Sequence, residues 1–233
     1  SRSGGLAVRL TDRDVRLVKD VALSHVHSRD ALVRLCYFGS VTRANARLLS
    51  LREAGYLRVL DTPFHGGHLY AAGARAREIV GERIAALITG RAPSPRFLRH
   101  ALSVTEIRIA LLARGGEGWR YEPQLRHAFR WRGEAWEVRP DGLVRLPKGP
   151  VMIECDLGNV SRGKFAAKLA AYRAYAQSGE AEKVYGPVPS ALLTVTTGER
   201  RLAELRKLAP ADAPTTLWKT FGELGIAVPG GWS

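Results

Sequence analysis

The strongest constraint on the fold is the stretch Pro140-Asp141-Gly142 through Glu154-Cys155-Asp156. Leu143-Val144-Arg145-Leu146 alternates, Pro147-Lys148-Gly149-Pro150 turns, and Val151-Met152-Ile153 begins an apolar run. This pattern predicts two short strands joined by a tight turn, the second of them buried. Glu154 and Asp156 stand two apart on that second strand, so they share one face, and Asp141 lies at the mouth of the hairpin. Three carboxylates gathered beside a buried strand repel one another unless a cation or a basic side chain sits among them. Arginines such as Arg139 or Arg162 could supply the basic partner; so could a metal ion.

The 233 residues can bury one large core or two small ones. With 45% hydrophobic and 25% charged residues, the composition is that of a globular protein. No apolar run reaches the roughly 20 residues needed to cross a bilayer, and no stretch reads as a signal peptide, so no membrane association and a cytoplasmic location are expected. Cys36 and Cys155 both lie in apolar strings and are expected as reduced core residues. The six histidines show no metal-ligand spacing, and no phosphate-binding glycine loop is present, so zinc chemistry and nucleotide hydrolysis are not indicated.

The net charge of +14 points to a polyanionic partner, for which duplex DNA is the expectation. Arginine outnumbers lysine, which suits bidentate pairing with phosphate, although an arginine-rich genome would produce the same bias.

Along the chain, Thr11 and Asp14 mark the start of a first helix, Ser28-Arg29-Asp30 caps a second, and a third runs from about Val41 to Ala54. The apolar face of the third helix is Ala44, Leu48 and Leu51, with Leu49 at its margin. Its other face offers Thr42, Arg43, Asn45 and Arg47. Gly55 ends it, and strands at Tyr56–Leu60 and His68–Ala71 flank a loop over Thr62–Gly67. Three helices followed by a hairpin is the winged helix-turn-helix order, and Leu48–Leu57 resembles the transition from recognition helix to wing in winged-helix transcription factors. That resemblance implies DNA contact by Thr42, Arg43, Asn45 and Arg47, joined by Arg58, His65 and His68 of the wing. A winged helix used for protein–protein contact is the alternative.

A helix over Ala74–Ile88 follows, and the prolines of Arg91–Pro95 suggest an extended linker. The expected organisation is a DNA-binding domain over residues 1–90, a linker at 91–96 and an α/β domain over 97–233. The second domain reads as a helix from Phe97 to Ala113, a strand at Trp119–Tyr121 and a hairpin over Leu125–Val138. The acidic strand pair comes next, then a helix over Ser161–Gln177, a strand over Ala191–Thr196 and a helix over Glu199–Leu208. The whole is an α+β or α/β chain with helices packed on a mixed sheet.

Pro-Asp on one strand and Glu-x-Asp on the next resemble the PD-(D/E)xK nuclease fold. The resemblance implies Mg²⁺ held by Asp141 and Glu154, with Asp156 standing where that pattern has its lysine. Asp156 could serve as a further ligand and Glu106 as a fourth; Lys164 or Lys168, four apart on the following helix with Tyr172 a turn beyond, could replace the missing lysine. A resemblance over nearly the whole chain is to the replication-relaxation family of plasmids and other mobile elements. It is carried by the helix beginning His100-Ala101-Leu102, by Arg139-Pro140-Asp141, by Ile153–Gly158, and by Lys164 … Lys168-Leu169 … Tyr172-Arg173-Ala174-Tyr175. It implies a DNA-binding protein acting in replication or mobilisation, with a nuclease-like second domain degenerate in activity. The competing expectation is a Mg²⁺-dependent endonuclease or nickase using Asp141 and Glu154. A homodimer, or a replication or mobilisation protein as partner, is a further expectation.

Overall fold

A computed structural model describes residues 8–62, 65–186, 191–210, 212 and 214–227. The expected loop residues Pro63 and Phe64 lie outside them. The chain is mixed α and β, and it divides into two compact units, one running to Thr105 and the other from Glu106.

In the first unit, α1 (Asp12–Ser24) starts at a capping box: the Thr11 side chain accepts from the Asp14 amide, and the Asp14 carboxylate accepts from the Thr11 amide. After β1 (His27–Ser28), Ser28 caps α2 (Arg29–Arg34) and Ser40 caps α3 (Val41–Glu53). Gly55, at φ +80°, turns the chain out of α3 in a conformation that glycine adopts without steric cost. The antiparallel strands β2 (Leu57–Leu60) and β3 (Leu69–Ala72) follow, and β1 adds to the far side of β3. Helical spacing places Leu17, Val18 and Val21 of α1, Leu32 of α2, and Leu48 and Leu51 of α3 in one core with Tyr56 and Leu57. Each such aliphatic side chain contributes about 2 kcal/mol by leaving water.

Three details differ from expectation. Leu49 is exposed, outside the arc that faces the core. Cys36 is exposed too, at a positive φ where the chain leaves α2. The single helix expected over Ala74–Ile88 is broken into a short 3₁₀ turn, α4 (Arg77–Val80) and α5 (Glu82–Ala85), because Gly81 takes φ +80° and interrupts the hydrogen-bond ladder. Helix α6 (Pro95–Leu112) begins directly at Pro95, so this proline starts a helix, where its missing N–H costs nothing.

The second unit is built on a five-stranded mixed sheet. Strand β7 (Gly142–Leu146) lies between β4 (Glu117–Tyr121) and β8 (Gly149–Asp156) and is antiparallel to both. β9 (Ala191–Thr196) and β10 (Thr216–Thr220) continue the sheet parallel to β8. β5 (His127–Trp131) and β6 (Glu134–Val138) form a separate two-stranded hairpin. The helices are α7 (Arg162–Gln177), capped by Ser161, then α8 (Glu180–Tyr185) and α9 (Glu199–Arg206). Met152 and Leu192 from the sheet, Phe165, Leu169 and Tyr172 from α7, and Leu205 from α9 share one core. Every residue of β8 is buried, as its uninterrupted apolar run requires.

Candidate functional site

The acidic strand pair forms one polar network, split between two basic partners. The register sets Gly142 opposite Ile153, and the Asp141 amide donates to the Ile153 carbonyl at 2.9 Å, which brings Asp141 alongside Glu154. The Asp141 carboxylate accepts from the Cys155 amide at 2.8 Å. Glu154 is 2% exposed and faces α7, where Lys168 Nζ and the Tyr172 hydroxyl each donate to a different carboxylate oxygen at 2.5 Å. Lys168 and Tyr172 are four apart, one helical turn, so both reach the same strand position.

Asp156, 1% exposed on the same face of β8, is held elsewhere. Arg201 of α9 donates to its two oxygens at 2.8 and 3.1 Å, and Thr196, its register neighbour on β9, donates at 2.8 Å. The expected convergence is therefore partial: Asp141, Glu154 and Lys168 meet, and Asp156 is taken by an arginine further along the chain. Arg139 pairs with Glu122 instead, while Arg162 and Lys164 are exposed on the first turn of α7. Glu106 is half-buried on α6.

Burial, and then the neighbouring Asp141 charge, raise the pKa of Glu154 against the opposing pull of Lys168 and Tyr172. Burial works against the Lys168 ammonium, but Glu154 and Asp141 outweigh it and raise its pKa, so this lysine stays charged. Burial, with the surrounding carboxylates, holds the Cys155 thiol well above its ordinary range and keeps it protonated. The positive charge balancing Asp141 and Glu154 is thus an ammonium. Both oxygens of Glu154 and both of Asp156 are already engaged, and among the described residues no three His, Cys, Asp or Glu side chains gather as metal ligands. This arrangement does not fit a Mg²⁺ ion held by the carboxylates.

A second polar surface belongs to the first unit. Thr42, Arg43 and Asn45 are exposed on α3. Asn45, with Arg29 of α2 and His65, His68 and Tyr70 of the β2–β3 hairpin, lines a cleft of about 490 Å³. The Arg29 guanidinium donates to Asn45 Oδ1 at 3.3 Å and to Asp30 at 2.9 Å, which orients the amide. His68 is exposed and packs edge-on against Tyr70. Two other expected DNA-contact residues turn inward. Arg47 donates to both oxygens of Asp14, at 3.0 and 2.6 Å, and to the Arg9 carbonyl. Arg58 is half-buried and donates to the Arg91 carbonyl at 2.8 Å.

Sequence reasoning missed Arg29, Arg201 and the role of Tyr172. The spacing of Tyr172 from Lys168 was a usable signal, whereas nothing local links Arg201 to Asp156 across 45 residues.

The model of the replication-relaxation family matches residues 23–190, more than two thirds of the chain. The chain belongs to the replication-relaxation family. No curated protein matches it. Among solved structures, the crystal structure of protein VC1899 from Vibrio cholerae is similar at 11% identity, covering 93% of this chain and 55% of that one, with a TM-score of 0.34. The chain thus spans little more than half of that protein, and a likeness this low carries no argument. Among the described residues no helix is long and apolar enough to cross a membrane.

Proposed function

We propose that this protein binds duplex DNA of a plasmid or other mobile element during its replication or mobilisation, through a winged helix-turn-helix in its first unit. The observation that carries this reading is the exposed polar face of α3, whose Asn45 shares a cleft with Arg29, His65 and His68. Asn and Arg present the donors that pair with adenine and guanine edges in the major groove, and histidines on a hairpin are placed to touch the backbone. Arg47 supports the helix through Asp14 and reads no bases. Replacing Arg43 and Asn45 together by Ala is expected to weaken duplex affinity about tenfold in a gel-shift titration, the loss of one or two good base contacts. Unchanged affinity removes α3 from recognition.

The second unit reads as a nuclease-like fold kept for binding. The competing reading, Mg²⁺-dependent nicking by Asp141 and Glu154, draws its support from Lys168 lying 2.5 Å from Glu154. Against it stand the occupied Glu154 oxygens and the capture of Asp156 by Arg201, which places a neutralised carboxylate where the pattern needs a free base. Incubating supercoiled plasmid with Mg²⁺ or Mn²⁺ and the parent protein should leave the plasmid intact. Nicking that disappears in both Asp141→Ala and Glu154→Ala would replace the binding reading of this unit with an enzymatic one.

A further inference from the structure

Strands β5 and β6 stand outside the main sheet as a ribbon of their own. One face is bolted to the second unit: Phe129 and Val138 are buried in its core, and the Tyr175 ring of α7 lies 5.4 Å from both His127 and Phe129. His127 Nε2 is 3.2 Å from Glu180. The opposite face carries Ala128 and Glu137, then Arg130 and Ala135, paired across the strands and all exposed. Arg132 and Gly133 form the two-residue turn, both at positive φ, 51° and 84°, which matches the twist of the strands and makes the tip compact.

The arginines of this ribbon divide into two kinds. Arg126 is paired with Glu137 at 2.8 Å, and Arg139 with Glu122 at 2.5 Å. Arg130 and Arg132 have no carboxylate partner among the described residues. Arg130 donates to the Gly133 carbonyl at 3.1 Å, and the Arg132 guanidinium lies 4.3 Å from the centre of the Trp131 ring. Both are therefore held in place by neutral groups while their charge goes uncompensated. Ala128 and Ala135 beside them leave room for close approach.

We infer that the β5–β6 ribbon is a nucleic-acid contact of its own, with Arg130 and Arg132 pairing with backbone phosphates of duplex DNA. The inference rests on the DNA-binding reading above and extends it to the second unit. A two-stranded ribbon has the dimensions that the major groove admits. A guanidinium pre-positioned by stacking and by a backbone acceptor loses little freedom on pairing with phosphate. A rigid mount, with its aromatic side buried against α7, keeps the arginine-bearing tip from folding back onto the sheet.

The test uses the full chain and a mixed-sequence duplex, with anisotropy titrations at several KCl concentrations. The variant Arg130→Gln/Arg132→Asn keeps the turn, since asparagine tolerates positive φ. It should bind about tenfold more weakly, and its slope of log affinity against log salt should be shallower by roughly 2, because each lost phosphate contact removes about 0.9. A merely structural loss would leave that slope unchanged. If the double variant does not fold, Arg132→Asn alone carries the test, with a slope change of about 1. Parental binding with an unaltered slope in the variant overturns the ribbon contact and leaves the DNA-binding reading standing. A parent that binds no duplex at any salt concentration overturns both.

Discussion

Arg47 and Asp14 show how one side chain can be claimed by structure before function. Asp14 is completely buried, caps α1 and accepts two hydrogen bonds from Arg47 of α3, thereby tying the first helix to the third. Burial alone would raise its pKa, but hydrogen bonds from Arg47 and then from Thr11 bring it down to about 2. An unfolded aspartate titrates near about 3.9, so the stabilisation is fully present above that pH and is lost as pH falls through about 2. Arg47→Ala strands a buried carboxylate and is expected to cost roughly 2–4 kcal/mol at neutral pH. Urea unfolding of parent and variant between pH 2 and 7 checks this: the two curves should converge at the acid end. A constant gap across that range would mean that Arg47 acts by packing alone. At the other site the balance runs the opposite way: burial and the Asp141 charge outweigh the hydrogen bonds from Lys168 and Tyr172, and the Glu154 pKa is raised to about 7.

At the scale of elements, the position of Asp141 depends on a glycine. A Cβ at Gly142 would lie 2.4 Å from the Trp119 ring, so β4 and β7 pair closely only because residue 142 has no side chain. Gly142→Ala must displace that indole and is expected to destabilise the chain by about 1–3 kcal/mol, the usual cost of overpacking. The change should also shift tryptophan emission, and wild-type stability with unaltered emission would show that β4 moves freely. Helices α1, α2, α3, α6, α7 and α9 and the β7–β8 pair were legible because their signals are local: Thr11, Ser28 and Ser161 at N-caps, Gly55 at a helix end, and apolar periodicity between. β10 was not legible. It is an edge strand in which Leu217 and Lys219 face solvent, so it lacks the apolar run that marked β8 and β9. The break at Gly81 escaped for a related reason, since its flanking residues keep a helical pattern on both sides.

For the whole molecule, a net charge of +14 means that association with a polyanion releases counterions. Duplex affinity is expected to fall at least about a hundredfold between 50 and 200 mM KCl, in line with several phosphate contacts. A flat response would show that the arginine excess is compositional. The sequence by itself determined the mixed α and β character, the helix–hairpin order of the first unit, the adjoining strands that carry Asp141 and Glu154, and the helix that brings Lys168. All of these follow from periodicity, capping and turn chemistry, which act over a few residues. Which charges meet was decided only by tertiary structure. Arg47 reaches Asp14 across 33 positions and Arg201 reaches Asp156 across 45, and neither pairing leaves a mark on local pattern. Burial makes an unpaired charge costly, so the nearest basic side chain in space takes each buried carboxylate, and sequence distance has no part in that choice.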